Sequence, residues 1–122
     1  MSSTILGEVR RFPLIVLSLQ TPYGSRTLEF LVDTGFDGEL ALPKSFAAWL
    51  GTPGEFRTVL FANGHEERAG VVECALTWGD GILTVDAMFI DSERPLLGIE
   101  LLENHRLTID VQEGGEVSIE EL

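Results

Sequence analysis

Apolar and polar residues alternate along most of this chain, which is the pattern of half-buried β-strands. The alternation is clearest over residues 26–32, 72–78 and 83–89. Shorter apolar stretches predict further strands at residues 5–11, 14–20, 107–111 and 117–119, and we expect Pro13 to separate the first two. These patterns together predict a mainly β fold.

Two short stretches have helical spacing instead. Residues 43–50 begin with a proline, carry apolar side chains on one face and precede Gly51, a residue suited to the end of a helix. Residues 99–104 place Leu101 and Leu102 on one side. The sequence therefore predicts one or two short helices beside the strands.

A β-hairpin is predicted over residues 58–72. Its tip, Asn63-Gly64, is the strongest short hairpin signal, because both residue types accept the positive φ angles of a tight hairpin turn. Taken alone, this signal predicts only a surface turn.

The strand over residues 26–32 leads directly into Asp33-Thr34-Gly35. A carboxylate at the end of an apolar strand is penalised by desolvation unless hydrogen bonds or a function retain it. Read alone, Asp-Thr-Gly is an ordinary turn sequence. A second signal, Leu96-Leu97-Gly98, follows later in the chain and changes that interpretation.

The run from Leu31 to Asp37, followed by Leu96-Leu97-Gly98, resembles the retropepsin-like aspartic proteases. Those chains carry two apolar residues, Asp-Thr/Ser-Gly, a β-hairpin flap, and then two apolar residues and Gly before a short helix. The similarity extends over residues 12–111. It implies a closed acid-protease barrel, formed by residues 1–122 as a single domain.

The resemblance also assigns roles to residues. It implies that Asp33 is catalytic, and that five residues support the active-site loop: Thr34, Gly35, Leu96, Leu97 and Gly98. The hairpin would be the flap that closes over substrate, with contacts from Phe61, Ala62, Asn63, Gly64 and His65.

Aspartic proteases hydrolyse peptide bonds with two carboxylates that share one proton around a water molecule. This chain has one Asp-Thr-Gly, and its other Asp-Gly pairs, Asp37-Gly38 and Asp80-Gly81, lack the Thr or Ser and the preceding apolar pair. A C2 homodimer would bring two copies of Asp33 together. The sequence therefore predicts a homodimeric aspartic endopeptidase that acts on peptide or protein substrates.

One departure from the family pattern leaves an alternative open. Retroviral members carry Arg directly after the Leu-Leu-Gly motif, where this chain has Ile99, so Asp37 lacks its expected partner. Arg94 or Arg106 could substitute. The alternative is a non-catalytic peptide-binding or dimerisation module with the same fold, and a third interpretation is an unrelated small β-barrel with a chance Asp-Thr-Gly.

Charge and composition exclude several classes of partner. The chain has 20 Asp and Glu residues against 8 Lys and Arg, a net charge of −12 at pH 7, so we expect no nucleic acid and no membrane among its partners. Cys74 is the single cysteine, which rules out an intrachain disulfide. Residues 1–7 lack the features of a secretory signal, and we expect a cytoplasmic location. His65 and His105 are too isolated for a metal site, and no cofactor is expected.

Overall fold

The computed structural model describes residues 3–61 and 63–122, and these form a mainly β structure. The strands are β1 (Ile5–Arg10), β2 (Phe12–Thr21), β3 (Gly24–Val32), β4 (Leu40–Pro43), β5 (Glu55–Leu60), β6 (Glu66–Trp78), β7 (Gly81–Ile90), β8 (Leu96–Leu97), β9 (His105–Ile109) and β10 (Glu116–Glu121). A 3-10 turn, Lys44–Phe46, leads into α1 (Ala47–Leu50), and α2 (Ile99–Leu102) follows β8. None of the described helices is long and apolar enough to cross a membrane.

A closed barrel forms the centre of the molecule. Its strands follow the hydrogen-bonded order β2, β3, β8, β4, β7 and β6. The barrel closes because β6 also pairs with β2, at Leu19 opposite Leu76. Strands β1, β10 and β9 continue outward from β2, while β5 pairs with β6 to form the predicted hairpin. The prediction of a mainly β, closed barrel with short helices is confirmed.

Alternation along β3 divides its side chains between two apolar clusters. Phe30 and Val32 are buried in the barrel core with residues from β2, β4 and β8. Leu31, which points the other way, packs against a second cluster that includes Phe36, Leu96 and Phe61. This second cluster underlies the hairpin, so it joins the hairpin to the loop that follows β3.

The structure corrects two boundaries that the sequence predicts. Pro13 lies inside β2, and the chain turns one residue before β2, at Arg11, where φ is +69°. β2 pairs with β3 only from Leu14 onward, so residue 13 donates no hydrogen bond to β3. A proline, which lacks a backbone N–H, is therefore accommodated at this position. The second predicted helix ends at Leu102, since Asn104 has a φ of +64°.

Candidate active site

Asp33 lies directly after the last residue of β3. Strand β8 runs parallel to β3, with Leu31 opposite Leu96 and Val32 opposite Leu97. The Asp33 N–H donates to the Leu97 carbonyl oxygen at 2.9 Å. The strand pairing therefore continues onto the catalytic candidate itself and ties it to the Leu96-Leu97-Gly98 segment.

The turn at Asp33 also holds its side chain. The Gly35 N–H donates to Asp33 Oδ1 at 2.9 Å, and the Phe36 N–H donates to the Asp33 carbonyl oxygen at 3.1 Å. No described residue donates a hydrogen bond to Asp33 Oδ2. The carboxylate is half-buried, while Thr34 is exposed. The turn thus orients one carboxylate oxygen and leaves the other available.

The Leu96-Leu97-Gly98 segment supports this loop from below. Leu96 and Leu97 are buried in the two different clusters, and Gly98 is buried as well. The Gly98 N–H donates to the Glu39 carbonyl oxygen at 2.8 Å. A Cβ on Gly98 would overlap the Gly38 carbonyl oxygen and the Phe36 ring. Glycine is therefore required here because two backbone segments come close together.

The start of α2 also supports the Asp33 loop, through two further backbone hydrogen bonds. The Ile99 N–H donates to the Phe36 carbonyl oxygen at 3.0 Å, and the Glu100 N–H donates to the Gly38 carbonyl oxygen at 3.1 Å. Residues 36–38 are thus fixed by backbone contacts that do not depend on side-chain identity.

The hairpin formed by β5 and β6 contacts the Asp33 loop through aromatic rings. Phe61 forms a β-bridge with Phe36, and their ring centroids lie 6.2 Å apart. The His65 ring stacks on Phe61, with centroids 5.9 Å apart. Asn63, Gly64 and His65 are exposed, and the Asn63 side chain accepts a hydrogen bond from the His65 N–H at 2.9 Å. Ala62, also predicted to contact substrate, lies outside the described residues.

Comparison with solved structures aligns this chain with the crystal structure of a retropepsin-like aspartic protease from Rickettsia conorii. The TM-score is 0.57 at 19% sequence identity, over 99% of this chain and 96% of that one. The fold is retropepsin-like. No family model matches the chain, and no curated protein sequence matches it.

The Asp37 carboxylate has no basic partner among the described residues. No basic side chain of residues 3–61 and 63–122 lies within salt-bridge distance of it. The Arg94 guanidinium lies over the Phe12 ring, and Arg106 lies on β9 opposite Glu120. Neither arginine takes the place of the missing partner within the chain.

Asp37 instead borders an open groove of about 450 Å³, lined by Ile99, Glu100, Leu102 and Glu103. Partial burial raises the pKa of the Glu100 carboxyl, and the neighbouring carboxylates of Glu39 and Asp37 raise it further. The side chains of Asp37, Glu100 and Glu103 make this groove acidic.

Phe36 is the supporting residue that sequence reasoning missed. It is fully buried, and it contacts both the β5–β6 hairpin, through Phe61, and the segment at Gly98. A signal was present, since a large apolar residue between Gly35 and Asp37 in an otherwise polar turn predicts a buried anchor.

The histidine, cysteine and carboxylate side chains outside the Asp33 loop are one possible source of metal or thiol chemistry. In the described part of the chain, the His, Cys, Asp and Glu side chains form no group of three or more that could hold a metal ion. Cys74 is buried in the barrel core, and burial raises the pKa of its thiol to about 11. A protonated, buried thiol is a poor nucleophile.

Proposed function

We propose that this chain is an aspartic endopeptidase, and that two copies of it form a homodimer whose catalytic dyad is a pair of Asp33 carboxylates. The observation that carries the proposal is the position of Asp33 in a retropepsin-like fold. Its carboxylate follows β3, accepts the Gly35 N–H through Oδ1 and has Oδ2 unoccupied by any described donor.

The reaction follows from two carboxylates that hold one proton between them. The ionised member removes a proton from a water molecule, and the water oxygen forms a bond to the scissile carbonyl carbon. The protonated member gives its proton to the carbonyl oxygen, which yields a tetrahedral diol. When the diol collapses, the ionised member takes a proton from one diol hydroxyl, the C–N bond breaks and the nitrogen receives a proton from the protonated member. A carboxylic acid and an amine are released, and the dyad again holds one proton.

The dimer and the flap have separate tasks in this proposal. Thr34 is exposed beside Asp33, so its hydroxyl is available to the second copy, as the family resemblance implies. The hairpin closes over the peptide and shields the dyad and its attacking water molecule from bulk solvent. The contact between Phe36 and Phe61 links hairpin movement to the loop that carries Asp33.

A non-catalytic module that binds peptides or dimerises is the second candidate. Asp37 favours it, because no described basic side chain neutralises this carboxylate next to the proposed dyad.

Replacement of Asp33 by Asn separates the two candidates. Asparagine keeps the shape of the side chain but cannot act as a base, so we expect Asp33→Asn to abolish cleavage of an unfolded protein while the fold and the dimer persist. Asp80→Asn, in the exposed turn before β7, is the matched control and should cleave normally. Cleavage products would be measured by mass spectrometry. Equal activity of Asp33→Asn and the unmodified protein would refute the proposal.

A further inference from the structure

Two arginines converge on one aromatic ring at the start of β2. The Cζ atom of Arg11 lies 5.6 Å from the centroid of the Phe12 ring, and that of Arg94 lies 4.9 Å from it. Both distances are within the range of cation–π attraction. We call Arg11, Phe12 and Arg94 the arginine clamp.

Neither guanidinium of the arginine clamp is neutralised. No described carboxylate lies within salt-bridge distance of Arg11 or Arg94, although the adjacent Arg10 pairs with both Glu8 and Glu29. The chain has 20 acidic residues and 8 basic ones, so two neighbouring guanidiniums without an ion pair run against its overall charge, although the Glu113 carboxylate accepts the Arg11 backbone N–H. Guanidinium groups bind carboxylates strongly, often through two parallel hydrogen bonds. The arginine clamp therefore has an unused capacity for a carboxylate.

The arginine clamp lies at the same end of the β2–β3 pair as the proposed catalytic residue. The last pair between β2 and β3 joins Leu14 to Leu31, which lie two residues from Phe12 along β2 and two residues from Asp33 along β3. Leu31 packs in the cluster that contains Phe61 of the flap. Because strand side chains two residues apart share a face, Phe12 lies on the same face of this sheet as Leu14 and its partner Leu31.

The backbone around both arginines is held in place. Arg11 has a φ of +69°, which is uncommon outside glycine, and its N–H donates to Glu113 Oε1 at 2.8 Å. The Ser92 hydroxyl donates to the Arg94 carbonyl oxygen at 2.7 Å. The next residue, Pro95, accepts the Leu31 N–H at 2.9 Å. A site whose groups are already ordered loses less entropy when it binds a ligand.

We propose that the arginine clamp is a specificity subsite that selects an acidic side chain of the peptide bound across Asp33. This proposal rests on the proposed function and deepens it by naming the substrate class. A chain with a net charge of −12 repels acidic peptides at long range, so a local pair of guanidiniums is needed to accept one. The selection should act on one position of the peptide, or on two adjacent ones.

Matched peptides test the subsite without relying on turnover. Starting from a mapped cleavage sequence or, if none is found, from a generic unstructured peptide, Glu is placed at each position in turn and compared with Gln. Binding is measured by fluorescence anisotropy with Asp33→Asn, and cleavage with the unmodified protein. We expect Glu to be preferred about tenfold at the selected position, since hydrogen bonds to charged groups have that order of effect. Added salt should reduce the preference.

Substitutions assign the preference to these residues. Arg11→Gln with Arg94→Gln should reduce the Glu-to-Gln ratio to about one, while Arg94→Lys should retain only part of it because lysine lacks the planar fork. Arg106→Gln on β9 removes the same charge elsewhere and should leave the ratio unchanged. All three arginines are exposed, so melting curves should confirm that each variant folds.

The possible outcomes distinguish failure of the proposed subsite from failure of the proposed endopeptidase function. Equal binding of Glu and Gln peptides, or a preference that survives loss of both arginines, overturns the subsite and leaves the proposed function intact. A weaker dimer in the double variant with an unchanged Glu-to-Gln ratio also overturns it, since the carboxylate would then come from the second copy. A protein that neither binds nor cleaves any of the peptides refutes the proposed function and the subsite together.

Discussion

Replacement of Gly98 by alanine tests the packing beneath the Asp33 loop. Gly98 has φ −96° and ψ +173°, a backbone conformation open to any residue, so alanine causes no backbone strain. The difficulty is space, because the added Cβ would overlap the Gly38 carbonyl oxygen and the Phe36 ring. Relief requires residues 36–38 to move away from β8.

The expected cost follows from that overlap. Forcing one extra carbon into a well-packed site costs about 1–3 kcal/mol. For a chain of this size, each kcal/mol lowers Tm by about 3–6 °C. Movement of the loop also displaces Asp33, and a displacement of about 1 Å at a catalytic group costs up to about a hundredfold in rate. We therefore expect lower stability together with a loss of kcat measured well below Tm.

Two other glycines separate these effects. Gly79 has a φ of +62° in the turn between β6 and β7, away from the Asp33 loop, so Gly79→Ala should lose stability but keep its activity when folded. A Cβ on Gly54 would meet no atom within 4 Å, so Gly54→Ala should lose neither. Urea unfolding and peptide cleavage would be measured at one protomer concentration, because dimerisation contributes to stability. If Gly98→Ala matches Gly54→Ala in both measurements, the close approach at Gly98 has no energetic role.

Three further predictions concern association and ionisation. Specific activity should fall when the protein is diluted through the dimer dissociation constant, and a monomer that cleaves peptides would contradict this. Activity should also have an acidic pH optimum, because the dyad must hold one proton. Added salt should restore activity near neutral pH, because it screens the repulsion between two chains of charge −12. Glu100→Gln should stabilise the protein at neutral pH, because the raised pKa of Glu100 means that ionisation of its carboxyl opposes folding. The gain in stability should vanish below the ordinary carboxyl pKa, where Glu100 is protonated in the folded and the unfolded protein alike. Urea unfolding at neutral pH and at a pH below that pKa would show the difference. Cys74 should react with a thiol reagent at neutral pH only after unfolding, because burial raises its pKa to about 11, and rapid reaction of the folded protein would contradict its position in the core.

Much of the local structure follows from the sequence alone. Alternation along residues 26–32 predicts a strand that ends at Asp33, and Asn63-Gly64 predicts the hairpin between β5 and β6. These features are local because the backbone itself imposes the two-residue period of a strand and the φ angles of a turn. Where local signals compete, prediction is weaker. Proline commonly ends a strand, yet Pro13 lies inside β2 and the chain turns at Arg11 instead. The residues at which β2 and β3 pair decide whether a proline is tolerated.

Only the tertiary structure decides which distant residues meet. Closure of the barrel between β2 and β6, and the contact of Phe36 with Phe61, depend on how whole strands pair. Strand periodicity specifies the face on which a side chain lies but carries no information about the neighbouring strand. The convergence of Arg11 and Arg94 on Phe12 arises in the same way, since the chain brings Arg94 back to β2 only through the pairing of β8 with β3.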